Sequence, residues 1–83
     1  MITISNGVEI QKSTECDNFW TMTNIETGKV VEIWNDLGVH VYVPTKRNRL
    51  PLGRHFNTLN EAVESYKDKQ IKKMIRALIS ELV

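Results

Sequence analysis

The chain has 83 residues, 41% of them hydrophobic, which suits one domain over residues 1–83 and is too few for two independent cores. Its one cysteine, Cys16, excludes an internal disulfide, and no neighbour supplies the ligand spacing of a zinc site. The net charge of +1 hides an asymmetry, since residues 1–45 carry two basic and six acidic side chains whereas residues 46–76 carry nine and three. This asymmetry predicts a polyanionic or acidic partner for the second half.

The amino-terminal residues lack the basic and apolar regions of a secretory signal. Nowhere does the chain reach the roughly 18 consecutive apolar residues that span a bilayer. With no disulfide, these features predict a cytoplasmic protein without a membrane partner. We also expect no cofactor and no metal.

The first ten residues predict a β-hairpin, because apolar residues alternate on both sides of a Ser-Asn-Gly turn. A two-residue loop would place Ile4 opposite Glu9, whereas a three-residue loop would pair Ile4 with Val8 and Ile2 with Ile10. We expect the three-residue loop, since it puts four apolar side chains on one face.

A meander of three strands is predicted next, separated by turn-like segments. A two-residue loop at Thr27-Gly28 would place Met22 opposite Ile33. In the third strand, alternation assigns the valines to the core and turns His40 outward. The predicted strands cover residues 19–25, 29–34 and 39–43.

Residues 44–55 form a long connection that is rich in basic side chains and holds both prolines of the chain. Connections of about 12 residues are usually functional or disordered. A short edge strand near residues 54–56 also fits. Arginine forks suit phosphates and guanine edges, although an ordinary exposed loop would look the same.

Thr58 and Glu61 have the spacing of a capping box and predict the start of a helix. The apolar positions after residue 58 form two stripes whose centres differ by about 100° around the helix. Either the helix breaks near residues 67–70, or it continues and the second stripe serves another surface. The candidate homodimer interface is therefore Ile71, Met74, Ile75 and Leu78.

The predicted fold class is α+β, with an antiparallel sheet of four to five strands packed by one long or two short C-terminal helices. The order of strands, basic loop and a helix opening with the Phe-Asn-Thr-Leu-Asn-Glu-Ala motif of residues 56–62 resembles the small three-stranded DNA-binding domains of phage-type integrases. The resemblance covers about residues 19–67. Its motif is too general to assign the chain to that family.

Basic residues at helical spacing form a second cluster, on the face opposite the second apolar stripe. Such a face is often only solvated, but clustered flexible cations are also what phosphate binding requires. Trp34 and Tyr42, placed opposite the core face, are candidates for base stacking. The candidate nucleic-acid-binding residues are Lys46, Arg47, Arg49, Arg54, Lys69, Lys72, Lys73 and Arg76.

No catalytic motif is present, and His40 and His55 are isolated in the sequence. We therefore expect a small binding protein and not an enzyme. Nucleic acid is the expected partner. The alternative is an inhibitor or adaptor of the kind that mobile genetic elements encode, which binds and blocks a host protein; in that case an acidic protein surface could meet the basic residues.

Overall fold

The computed structural model describes residues 2–82, which form six strands and then two helices. The strands make one antiparallel sheet in the order of the chain, so the α+β class is confirmed. The sheet exceeds the four to five strands expected because residues 54–56 do form an edge strand beside the fifth. It also exceeds the three strands of the integrase-type domains. The elements are β1 Ile2–Ser5, β2 Val8–Lys12, β3 Phe19–Asn24, β4 Val30–Asn35, β5 Val39–Tyr42, β6 Arg54–Phe56, α1 Leu59–Ser65 and α2 Lys69–Leu82.

The register of the first hairpin differs from the prediction. Ile4 lies opposite Glu9, so the loop has two residues and the expected three-residue loop is wrong. Asn6 and Gly7 have φ angles of 51° and 76°, the left-handed pair of a type I′ turn, whose twist matches that of the flanking strands. As a result Ile2 and Ile4 lie on the face of the sheet away from the helices, here called the outer face.

The β3–β4 connection is longer than expected. Met22 lies opposite Val31 and not Ile33, so the two-residue loop considered at Thr27-Gly28 does not form. The backbone N–H of Asn24 donates to the carbonyl of Lys29 at 2.8 Å, and the Asn24 side chain accepts two N–H groups of the turn. The observed register differs by two residues from the one that a two-residue loop would give. Since side chains alternate between the two faces with a period of two, the same side chains face the core in either register.

The core lies between the inner face of the sheet and the two helices. In β5 the valines are buried and His40 faces outward, as the alternation predicts. The most deeply buried large side chains come from both layers, which therefore depend on each other for burial. They are Met22, Ile33, Met74, Ile75, Leu78, Val8, Val31 and Val41.

The C-terminal segment breaks into two helices, the first of the two predicted alternatives. The N–H of Glu61 donates to Oγ1 of the N-cap Thr58 at 3.1 Å, which confirms the predicted helix start. Tyr66 then leaves the helix with extended backbone angles. Asp68 restarts it by accepting the N–H of Gln70 at 2.8 Å. The break turns both apolar stripes toward the sheet.

The candidate dimer interface on the second stripe needs correction. Its four side chains are buried within the single chain, with Ile71 only 6% exposed and Met74, Ile75 and Leu78 fully covered. They supply the α2 half of the core and present no surface to a second copy.

Neither helix within residues 2–82 is both long and apolar enough to cross a bilayer.

Candidate nucleic-acid interface

Helix α2 presents a basic face to solvent. Lys69, Lys73 and Arg76 are exposed and project from the side of the helix opposite its buried stripe. Lys72 is half-buried and lies on the flank of the same side. These four residues, here called the basic helix face, are brought together as their spacing predicts.

No carboxylate among residues 2–82 forms an ion pair with the basic helix face. Within residues 2–82 the structure contains one ion pair, between Nζ of Lys29 and Oδ2 of Asp68 at 3.4 Å. That pair lies just before α2 and involves none of the four residues. Their charges therefore act outward, toward solvent or a bound anion.

A shallow depression borders this face where α2 passes the β1–β2 turn. It has a volume of about 480 Å³ and is lined by Asn6, Lys73, Arg76, Ala77 and Ser80. The ammonium of Lys73 reaches over the turn and lies 3.7 Å from where a Cβ on Gly7 would stand. The depression thus combines two cations with an amide and a hydroxyl, which are groups that bind phosphate oxygens.

Lys46, Arg47 and Arg49, here called the basic loop, are all exposed in the connection after β5. A local turn shapes this segment, because the N–H of Asn48 donates to Oγ1 of Thr45 at 3.0 Å. Lys46 and Arg49 border a second open depression of about 460 Å³. Its other lining residues are Gly28, Lys29, Val30, Glu32, Pro44 and Thr45.

The basic loop and the basic helix face lie at the same end of the sheet, on either side of the β3–β4 turn. Thr27 in this turn donates from Oγ1 to Oε1 of Gln70 at 2.9 Å, in the first turn of α2. Lys29 contacts Asp68 on one side and borders the depression beside the basic loop on the other. The two clusters are neighbours, but the turn separates them.

Arg54 does not join either cluster. It pairs with Val41 and so lies on the inner side of β6. Its guanidinium stands 4.7 Å from the ring centre of Tyr66 and 5.2 Å from that of Phe56, and it donates to Oγ of Ser65 at 2.6 Å. Arg54 therefore connects β6 to α1.

Arg54 also affects the pKa of the Tyr66 hydroxyl. Burial raises the pKa of the Tyr66 hydroxyl above its ordinary value, and the charge of Arg54 and a hydrogen bond to it oppose that rise. These contacts occupy the cation, so its placement supports packing more than phosphate binding.

The two candidate stacking residues are both on the outer face but do not form a platform. Trp34 is 36% exposed. The ring of Tyr42 is approached by the backbone at Gly53, where an added Cβ would come within 2.5 Å of it. Glu32 lies directly opposite Tyr42 and places a carboxylate beside it, which repels phosphates.

An aromatic row that the sequence did not reveal crosses the outer face. Phe19, Trp34, His40 and His55 lie side by side on four neighbouring strands. The ring centres of His40 and His55 are 4.9 Å apart. The alternation in β5 predicted the direction of His40, but the pairing with His55 required the register of β6.

Within residues 2–82, no cluster of three or more His, Cys, Asp or Glu side chains could hold a metal ion. Comparisons with protein-family models, with curated proteins and with solved structures found no match.

Proposed function

We propose that this protein binds nucleic acid through the basic helix face, with the basic loop as a second contact. The observation that carries the proposal is that α2 directs Lys69, Lys73 and Arg76 to solvent without a carboxylate partner among residues 2–82. Lysine and arginine on a rigid helix make contacts with phosphates that depend little on the base sequence of the nucleic acid.

The dimensions of the basic helix face suit a phosphate backbone. From Lys69 to Arg76 the helix rises about 10 Å. One strand of a duplex presents a phosphate about every 3.4 Å along its axis, so the face spans about three of them. The depression beside Lys73 and Arg76 offers room for one phosphate group with further donors from Asn6 and Ser80.

The outer face of the sheet is a poorer site for nucleic acid. Glu9 and Glu32 both lie on it, and the ring of Tyr42 is approached by the loop backbone. Phosphates near those carboxylates would be repelled. The proposal is therefore binding to the phosphate backbone, and not stacking of bases on the sheet.

Charge reversal on the helix tests the proposal. Lys73→Glu and Arg76→Glu should each weaken binding to a labelled DNA duplex and an RNA hairpin, measured by fluorescence anisotropy at about 50 mM and about 200 mM salt. The basic helix face should contribute about −3 to the salt slope per bound chain, and each variant should reduce the size of that contribution by about one.

Lys12→Glu is the matched control, since Lys12 is exposed at the end of β2 and the substitution changes the net charge equally. It should leave affinity nearly unchanged. Equal weakening by Lys12→Glu and Lys73→Glu would show that only overall charge matters. No binding to either nucleic acid at about 50 mM salt would refute the proposal.

A second candidate function is supported by the uncovered outer face, on which Ile2, Ile4 and Trp34 are exposed. An inhibitor or adaptor could dock a host protein there, since exposed apolar patches mark interaction sites. Capture from a lysate that survives nuclease and is lost in Trp34→Glu would support this candidate. Capture that nuclease abolishes would support nucleic-acid binding.

A further inference from the structure

The two edges of the sheet are protected to different degrees. At one edge, β6 has three residues, carries Arg54 and His55, and is contacted by α1. At the other, β1 has four residues with no charge and no proline. Natural sheets protect their edges with charges, proline or covering elements, because an open edge can pair with another strand. The β1 edge lacks the first two of these safeguards.

The turn between β1 and β2 determines which backbone groups face the open edge. In a two-residue hairpin the two residues that flank the turn form a hydrogen-bonded pair. Hydrogen-bonded and non-hydrogen-bonded pairs then alternate along the two strands. Ser5 and Thr3 therefore direct their N–H and C=O groups toward β2. Ile2 and Ile4 direct theirs outward, and their side chains are 54% and 66% exposed.

We propose that β1 pairs antiparallel with β1 of a second copy of this chain, about a two-fold axis perpendicular to the sheet that passes between the two Thr3 residues. Ile2 of one copy then lies opposite Ile4 of the other, and the reverse. About four backbone hydrogen bonds form between the outward groups. Both pairs place isoleucine beside isoleucine on the outer face, a favourable cross-strand contact.

A second copy fits this edge because the edge is complementary to itself. The strand Ile2–Ser5 has no charged side chain, so the dimer would bring no like charges together. The two-fold axis places Ile2 of each copy opposite Ile4 of the other. The other surfaces fit less well. Packing of two outer faces would desolvate Glu9 and Glu32, and the apolar stripe of α2 is already buried.

The two-fold axis has a consequence for the proposed function. It leaves the helices of both copies on the same side of a continuous sheet. Helix α2 packs on β2 and β3, and its Lys73 reaches the β1–β2 turn. The two basic helix faces would therefore lie on the same surface of the dimer, on either side of its axis. This consequence rests on the proposed nucleic-acid binding, whereas the dimer itself does not.

Sedimentation velocity of the purified chain tests the dimer without nucleic acid. Over about 10 μM to about 1 mM protein the mass should rise from 9.6 kDa toward twice that value, as expected for a small interface. Ile4→Lys should raise the dissociation constant at least about tenfold, since a lysine on an edge strand opposes pairing.

Ile25→Lys is the matched control. Ile25 is 56% exposed in the β3–β4 connection, which β2 separates from the β1 edge, so this variant should associate like the unmodified chain. Circular dichroism should show that both variants remain folded. A mass of one chain at every concentration, or equal loss of association in both variants, would overturn the proposed dimer.

The two proposals can fail separately. If both hold, Ile4→Lys should reduce the size of the salt slope of nucleic-acid binding by about half, because fewer phosphates are contacted per complex. Self-association with no nucleic-acid binding at low salt would support the dimer and refute the function. Nucleic-acid binding by a protein that stays monomeric would do the reverse.

Discussion

Asp68 caps the amino end of α2 and so defines where the second helix begins. Its Oδ1 accepts the N–H of Gln70 at 2.8 Å and that of Ile71 at 3.4 Å. Its Oδ2 lies 3.4 Å from Nζ of Lys29. The hydrogen bond from Gln70 is the largest cause that holds the pKa of this carboxyl below its ordinary value, with smaller contributions from Ile71 and Lys29.

This lowered pKa predicts a pH dependence of stability. Because the folded pKa lies below the unfolded one, the ionised carboxylate favours the fold above the unfolded pKa of about 4. That contribution is lost as pH falls through the folded pKa. Asp68→Ser keeps an oxygen for the cap but removes the titration. Between pH 7 and about pH 2.5, the variant should therefore lose less stability toward urea than the unmodified protein. An equal loss in both would contradict the role given to the carboxylate.

Arg54 shows what residue type alone does not reveal. In the sequence it follows the basic loop closely and resembles part of it. In the structure β6 gives it the inner side of an edge strand, where it packs against Tyr66 and Phe56. Its direction depends on the pairing of β6 with β5, and so on a long-range contact that adjacent residues do not encode.

At the scale of elements, the first hairpin shows how the sequence can mislead. The alternation of four apolar residues favoured one common face. The Asn-Gly pair favours a two-residue type I′ turn, and this local preference determines the register. The Asn-Gly pair is therefore the decisive signal in this segment, and it leaves Ile2 and Ile4 exposed on the outer face.

The register of this hairpin predicts unequal effects of equal substitutions. Ile10 is 4% exposed in the core, whereas Ile4 is 66% exposed on the outer face. Ile10→Ala should cost about 2–4 kcal/mol of unfolding free energy. Ile4→Ala should cost less than about 1 kcal/mol in dilute solution, where the chain is monomeric. Urea titration of both variants measures the difference. Similar costs would indicate the register with a three-residue loop.

The helices could be predicted in part. The capping box at Thr58 predicts the start of α1, and the disagreement between the two apolar stripes indicates a break near residues 67–70. The sequence could not choose between a break and a second interface. That choice depends on whether the sheet is wide enough to bury both stripes, which it is once six strands pair.

At the scale of the whole molecule, the charge asymmetry along the chain becomes a partial asymmetry in space. Glu9 and Glu32 lie on the outer face, and the basic helix face lies on the opposite side of the molecule. The sequence predicted which residues cluster on α2, because helical spacing is local. It could not show that the basic loop lies beside the β3–β4 turn, since that placement depends on the whole sheet.

The most direct test of nucleic-acid binding is a titration of the ¹⁵N-labelled protein with a short DNA duplex, followed by two-dimensional NMR at about 50 mM salt. Proposed binding predicts shifted amide signals along Lys69–Leu82 and in the basic loop, with little change at Phe19 and His40 and at the indole of Trp34. Shifts confined to the outer face, or no shifts at this salt concentration, would contradict it.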